Sequence, residues 1–211
     1  MTGPDTIGPV YVVTDPGAAL PVVEQARAAA RGGAWAVQLR DKSASDAEIA
    51  GFARALMAEL CPMGVRLFVN DRLAVARATG ADLHIGQSDG CPQAARAALG
   101  AGQMLGLSVE TVAQCAEVPA GVAYLGAGPV RATATKPDAA APLGVGGIAA
   151  VVRAAPVPVL AIGGLGAADA GPLRAAGAAG LAVVSAVTRA AEPEAATRAL
   201  VAAWQAAGRA A

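Results

Sequence analysis

The segment VQLRDK sets Gln38, Arg40 and Lys42 at every second position. An extended backbone places such residues on one side. Two cations and an amide on one side suit a polyanion. Arginine offers a planar fork to phosphate oxygens, and lysine offers a point charge. The same pattern also fits a solvated strand end. Further along, LFVNDR carries Asn70 and Asp71, and HIGQSDG carries Asp89. Either aspartate can cap the helix that follows it. Two carboxylates on neighbouring loops can equally share Mg2+, which takes one or two carboxylates together with substrate phosphates and waters.

A second group of residues points to a smaller anion. AIGGLG carries Gly163 and Gly164, whose lack of a Cβ lets backbone N–H groups approach an oxyanion closely. Ser185, in VVSAV, adds a hydroxyl beside them. A glycine pair also lets a helix lie close on a sheet, so packing is the alternative. Between the two groups runs GPVRATATKPDAAAPLG, with Thr133, Thr135 and Lys136 close together. A loop of about a dozen residues inside a compact domain is often functional. Lys136 is expected to reach the first group while the threonines face the second. Ser108, in GLSVET, can cap the fifth helix or bind a ligand oxygen. His84 is the single histidine. It reads as a packed, hydrogen-bonded residue and is assigned no chemistry.

Repeating β-rich runs must position these residues. They span Val10 to Thr14, Ala36 to Leu39, Arg66 to Val69, Asp82 to Ile85, Met104 to Leu107, Val122 to Leu125, Pro158 to Ile162 and Leu181 to Val184. Most are continuously apolar, as strands covered on both faces are. Helical patterns lie between most of them. In SDAEIAGFARALMAEL, Ser45 and Glu48 form a capping box, and Ile49, Phe52, Ala53, Leu56 and Leu60 share a face. Leu200, Val201 and Trp204 do the same in the last helix. Pro172 is tolerable if the seventh helix begins near Asp169, because the first turn has no N–H bond to lose. Eight strand–helix units in 211 residues predict one domain over residues 1–211, an α/β fold closed as a (β/α)8 TIM barrel. A doubly wound sheet would want GxGxxG after its first strand, and none is there. In a barrel, the candidates above fall at or just after a strand's C-terminal end, where barrel chemistry sits.

The bulk properties narrow the class. Lys+Arg and Asp+Glu number 16 each, so no global field favours nucleic acid or an acidic membrane. Aromatic residues are only 3%, too few for a base-stacking surface. The expected partners are therefore small phosphorylated molecules, with no nucleic acid and no membrane. The oligomeric state, a homo-oligomer included, stays open. Three scattered cysteines read as reduced thiols, and no leader or apolar span is recognisable, which together predict a cytoplasmic protein.

The pieces YVVTD, VQLRDK, LFVND, HIGQSD, GLSVET, GPVRATATK, APLG, VPVLAIGG and LAVVSAV resemble, in order and spacing, the thiamine phosphate synthases and their paralogues, the thiazole tautomerases. The resemblance spans Tyr11 to Val187. It implies a (β/α)8 barrel that joins hydroxymethylpyrimidine diphosphate to a thiazole phosphate, yielding thiamine phosphate and pyrophosphate. It implies that Gln38, Leu39, Arg40, Asp41, Lys42, Asn70, Ser108 and Lys136 hold the pyrimidine diphosphate, with Arg40, Lys42 and Lys136 catalytic. Asp71 and Asp89 would hold Mg2+. Thr133, Ala134 and Thr135, with Gly164, Val184 and Ser185, would hold the thiazole phosphate. The chain departs from the family at Arg131 and Ala132, where its members commonly carry an aromatic residue and a proline.

Overall fold

The structure, a computed structural model, describes residues 7–133 and 140–209. Eight strands close into a barrel in sequence order: β1 (Val10–Val13), β2 (Ala36–Leu39), β3 (Arg66–Asn70), β4 (Asp82–Ile85), β5 (Leu105–Val109), β6 (Tyr124–Ala127), β7 (Val159–Ile162) and β8 (Gly180–Val183). All eight pairings are parallel, and β1 joins β8 to complete the ring, with Tyr11 opposite Ala182. The barrel reading is thus correct, and the expected strands fall within two residues of those observed.

Helices α1 (Val22–Arg31), α2 (Asp46–Leu60), α3 (Leu73–Thr79), α4 (Pro92–Ala98), α5 (Gly144–Ala154), α6 (Ala170–Ala175), α7 (Ser185–Thr188) and α8 (Pro193–Arg209) accompany the strands. The capping box at α2 is present. The Ser45 N–H donates to Glu48 Oε2 at 2.8 Å, and the Glu48 N–H donates to Ser45 Oγ at 3.3 Å. Ile49, Ala53, Leu56 and Leu60 are the buried face of this helix. Pro172 stands in the first turn of α6, after a 3-10 turn at Ala167–Asp169, where it loses no backbone bond. One expected element differs. After β5 the chain makes a 3-10 turn, Ala113–Glu117, and no fifth-unit α-helix. Thr111 and Val112 are β-branched at its start, and Pro119 blocks continuation two residues past its end.

Strand alternation divides the core in two. Outward residues such as Val12, Val37, Leu39, Val69 and Leu83 pack against the helices. Inward residues Tyr11, Ala36, Phe68, Met104, Tyr124, Leu160 and Ala182 fill the barrel. Tyr11, Phe68 and Tyr124 meet in the centre, with ring centroids 5.3 to 5.8 Å apart. At the N-terminal end of the strands, Arg66 closes the floor with a bidentate pair to Asp82. Its Nε and Nη2 donate to the two carboxylate oxygens at 2.6 and 2.7 Å. The Asp82 carboxylate is 6% exposed and also accepts from the Met104 N–H at 2.7 Å. The bulky side chains thus plug the middle and bottom of the barrel, and the open space is left at the C-terminal mouth.

Candidate active site

The mouth holds a cavity of about 460 Å³. Gln38 and Arg40 enter it from the inward side of β2 and its end, followed by Lys42 on the loop. The alternation read from the sequence is therefore real. Thr14 fixes this strand end. Its Oγ1 donates to the Arg40 carbonyl at 3.1 Å and accepts from the Arg40 N–H at 2.9 Å. The guanidinium is left to the cavity. Leu39 and Asp41 point elsewhere, as alternation requires. Leu39 is in the outer core. The Asp41 carboxylate accepts from the N–H groups of Ser43 and Ala44 and from the Ser43 hydroxyl, which holds its pKa below the ordinary carboxylate value. Neither side chain joins the cavity wall.

Asn70, Asp71 and Asp89 line the same cavity. Neither aspartate caps a helix. Arg72 and Cys91 occupy the N-cap positions of α3 and α4, without side-chain capping. Asp71 has a positive φ of 50°, a conformation disfavoured for residues other than glycine and less so for Asp and Asn. Its N–H donates to the His84 carbonyl at 2.9 Å, which holds the turn. Burial, then the charge of Asp89, raises the Asp71 pKa, and Lys42 at 3.9 Å pulls the other way. Asp89 Oδ2 accepts from the Gly86 N–H at 2.7 Å. Among the described residues no three His, Cys, Asp or Glu side chains form a metal-binding group. Among the described residues, the carboxylates lining the cavity are Asp71, Asp89 and Glu110. Asp71 and Asp89 share this cavity with Arg40 and Lys42, and the two carboxylates are a donor set that a divalent ion completed by substrate oxygens would use.

Ser108 lines the cavity from β5. It caps no helix, and its Oγ lies 2.9 Å from His84 Nε2. His84 Nδ1 lies 2.8 Å from the Tyr124 hydroxyl, so both ring nitrogens are engaged. This agrees with a packed, hydrogen-bonded histidine. Withdrawal from solvent pushes its pKa down to about 4, and the ring is neutral near pH 7. The two tyrosines were not foreseen. They are the only tyrosines in the chain, both on inward strand positions. An inward tyrosine has to find a partner for its hydroxyl, and that was the available signal.

On the other side of the mouth, Gly163 and Gly164 adopt φ of +104° and +68°, turning the chain sharply after β7. Gly164, Val184, Ser185 and Thr133 all line the cavity. Ser185 opens α7, where the first N–H groups have no partner within the helix. Arg131 ties the neighbouring loop to this turn. Its Nη1 lies 2.5 Å from Asp169 Oδ1 and donates to the Gly164 carbonyl at 3.5 Å. Ala134, Thr135 and Lys136 lie outside the described residues.

No helix among the described residues is long and apolar enough to cross a membrane. Residues 10–187 match the family described as thiamine monophosphate synthase. A thiamine-phosphate synthase of Xanthobacter autotrophicus is 48% identical over 198 residues, covering 92% of this chain and 94% of the relative. One from Roseiflexus sp. strain RS-1 is 43% identical, covering 92% and 84%. The solved thiamine phosphate pyrophosphorylase from Pyrococcus furiosus superposes with a TM-score of 0.86 at 31% identity, over 94% of this chain and 96% of that one. Its barrel, its cavity-lining residues and these relationships agree: the chain belongs to the thiamine monophosphate synthase family.

Proposed function

We propose that the chain condenses an aminopyrimidine-methyl diphosphate with a thiazole phosphate, giving thiamine phosphate and pyrophosphate. One observation carries this reading in the structure. A single cavity gathers Arg40, Lys42 and two carboxylates from the loops after β2 to β4, and a glycine turn with Ser185 from those after β7 and β8. That is the inventory for a diphosphate that leaves and a phosphate that stays.

The pyrimidine methylene C–O bond breaks, and its electron pair departs with pyrophosphate. The ring amino group feeds electron density toward the methylene carbon. The thiazole nitrogen then donates its lone pair to that carbon and forms the new C–N bond. No step requires a general base, which fits a chain whose one histidine is half-buried, engaged at both ring nitrogens and neutral near pH 7. Arg40 and Lys42 stabilise charge as it develops on the leaving oxygens. Lys136, which the family resemblance assigns to the diphosphate, is given the same task. Asp71 and Asp89 would hold Mg2+ with the diphosphate, and the bound ion would neutralise the leaving group further. The turn at Gly163 and Gly164, with Val184, Ser185 and Thr133, would hold the thiazole phosphate so that its nitrogen faces the carbon. Positioning two reactants in this way is worth roughly 7–11 kcal/mol.

The test is product stoichiometry. Given both substrates, the chain should form thiamine phosphate and pyrophosphate one for one. Failure to form thiamine phosphate would exclude the activity.

Two variants probe the two halves separately. Asp71→Asn keeps the shape and tolerates the positive φ. It should raise the Mg2+ concentration for half-maximal rate by roughly tenfold or more, the loss of one charged ligand. An unchanged Mg2+ titration would remove Asp71 from the ion's site. Gly164→Val puts a β-branched residue at φ +68°, with its Cβ 3.0 Å from Arg131 Cβ. The strain is about 1–3 kcal/mol. Steady-state kinetics should show a raised KM for the thiazole phosphate and an unchanged KM for the pyrimidine diphosphate. Equal rises in both would separate the glycine turn from phosphate binding.

A further inference from the structure

The residue that follows Asp71 has no task in the reaction above. Arg72 does not line the cavity, yet its guanidinium spans the loop after β2 that carries Lys42. Nη2 donates to the Asp41 carbonyl at 2.9 Å and to the Ala44 carbonyl at 2.6 Å, and Nη1 donates to Asp46 Oδ1 at 2.6 Å. The two carbonyls flank Lys42 and Ser43. From within the loop, the Asp41 carboxylate accepts from the Ser43 and Ala44 N–H groups. The turn is thus held through its carbonyls by Arg72 and through its N–H groups by its own first residue. Asp46 is 67% exposed, so its ion pair contributes little, and the two carbonyl bonds carry the hold.

The backbone of Arg72 has a second engagement. Its N–H donates to the Asn70 carbonyl at 2.7 Å, across Asp71 at φ +50°. A three-residue turn with positive φ at its centre is strained, and it persists only where its surroundings hold it. The same residue therefore has its backbone in the turn that aims Asp71 and its side chain on the loop that aims Lys42. Lys42 Nζ lies 3.9 Å from Asp71 Oδ2, although the lysine side chain is 65% exposed. A four-carbon stem open to water samples many rotamers, so its reach is defined only if its backbone is fixed. Thr14 fixes Arg40 from the β1 side. Arg72 does the same for the Lys42 loop from the β3 side.

We infer that Arg72 is a positioning residue, whose guanidinium clamps the loop after β2 and so sets Lys42 against Asp71 before a diphosphate arrives. The inference rests on the proposed condensation for the identity of that diphosphate. Fixing the ammonium in advance removes an ordering cost from binding, with no contact between Arg72 and the ligand. The planar fork is essential, because it meets two carbonyls and a carboxylate at once. Lysine keeps the charge and lacks the fork.

Calorimetric titration of the whole chain with magnesium pyrophosphate reads the clamp without turnover. Arg72→Lys should raise the Kd roughly tenfold. Steady-state kinetics should show a raised KM for the pyrimidine diphosphate and an unchanged KM for the thiazole phosphate. Asp46→Asn, which removes only the exposed arm, should change the Kd by less than about twofold. The deciding comparison is with Lys42→Ala. If Arg72 acts through Lys42, the double variant should bind magnesium pyrophosphate no more weakly than Lys42→Ala alone. Losses that multiply, as a merely structural role would give, or an unchanged Kd in Arg72→Lys, would overturn the clamp. Should Arg72→Lys fail to fold, Arg72→Gln carries the same test, since an amide has no fork either. An Arg72-dependent Kd in a chain that forms no thiamine phosphate would sink the condensation and leave the clamp standing. Condensation with an unchanged Kd in Arg72→Lys would do the reverse.

Discussion

Arg40→Ala is expected to lower turnover by about 100- to 1000-fold, or about 2.7–4 kcal/mol, the range for removing one oriented donor from developing negative charge. The reasoning is geometric. Thr14 holds the Arg40 backbone from both sides, and the side chain opens onto the cavity beside Lys42 and Asp71. The guanidinium contributes little to the core, so thermal stability should stay near that of the unsubstituted chain. Arg40→Lys keeps the charge and loses the planar fork, and should recover part of the rate. Steady-state kinetics with both substrates, together with a melting curve, check this. A fall in KM affinity alone, with kcat intact, would mean that Arg40 binds the substrate and its transition state equally.

Arg66→Ala is expected to act at the opposite end of the barrel and on stability alone. It strands Asp82, whose side chain is 6% exposed. Burial already holds the Asp82 pKa above the ordinary value in spite of Arg66. Removing one partner of such a pair costs about 3–5 kcal/mol. For a domain of this size that lowers Tm by about 6–20 °C. The sign of the pH dependence follows from linkage. A carboxyl whose folded pKa is raised binds protons more readily folded than unfolded, so its stability contribution falls as pH rises through that range. The deficit of the variant should therefore be largest near neutral pH and shrink in acid. Denaturant unfolding at two pH values checks it, and a loss that grows on acidification would contradict the argument. Adding Asp82→Ala should restore part of the loss, because no orphaned charge then remains.

The periodicity of the sequence made most of this visible. Continuous apolar runs marked the strands, and the alternation of Gln38, Arg40 and Lys42 placed all three on the cavity side. Leu39 and Asp41 came in only with the family resemblance. The same alternation turns their side chains away from the cavity. For Asp71 and Asp89, sequence could not choose between helix cap and site. The structure shows other residues at both N-caps. The end of β6 was placed two residues early, because Gly126 and Ala127 carry little mark of a strand although both are inside it. The tyrosine pair was hidden for a different reason. Tyr11 and Tyr124 are separated by 113 positions and meet only once the barrel closes. Local pattern has no access to such a pair.

The central claim is that this rim, with its cations and a divalent ion on Asp71 and Asp89, stabilises pyrophosphate as it departs. The most direct measurement is the rate of pyrophosphate release from both substrates during a Mg2+ titration that starts from chelator-stripped protein. The account predicts negligible release at the start, a saturable rise with Mg2+, and thiamine phosphate formed in step. A rate already maximal in the stripped protein and indifferent to added Mg2+ would contradict it.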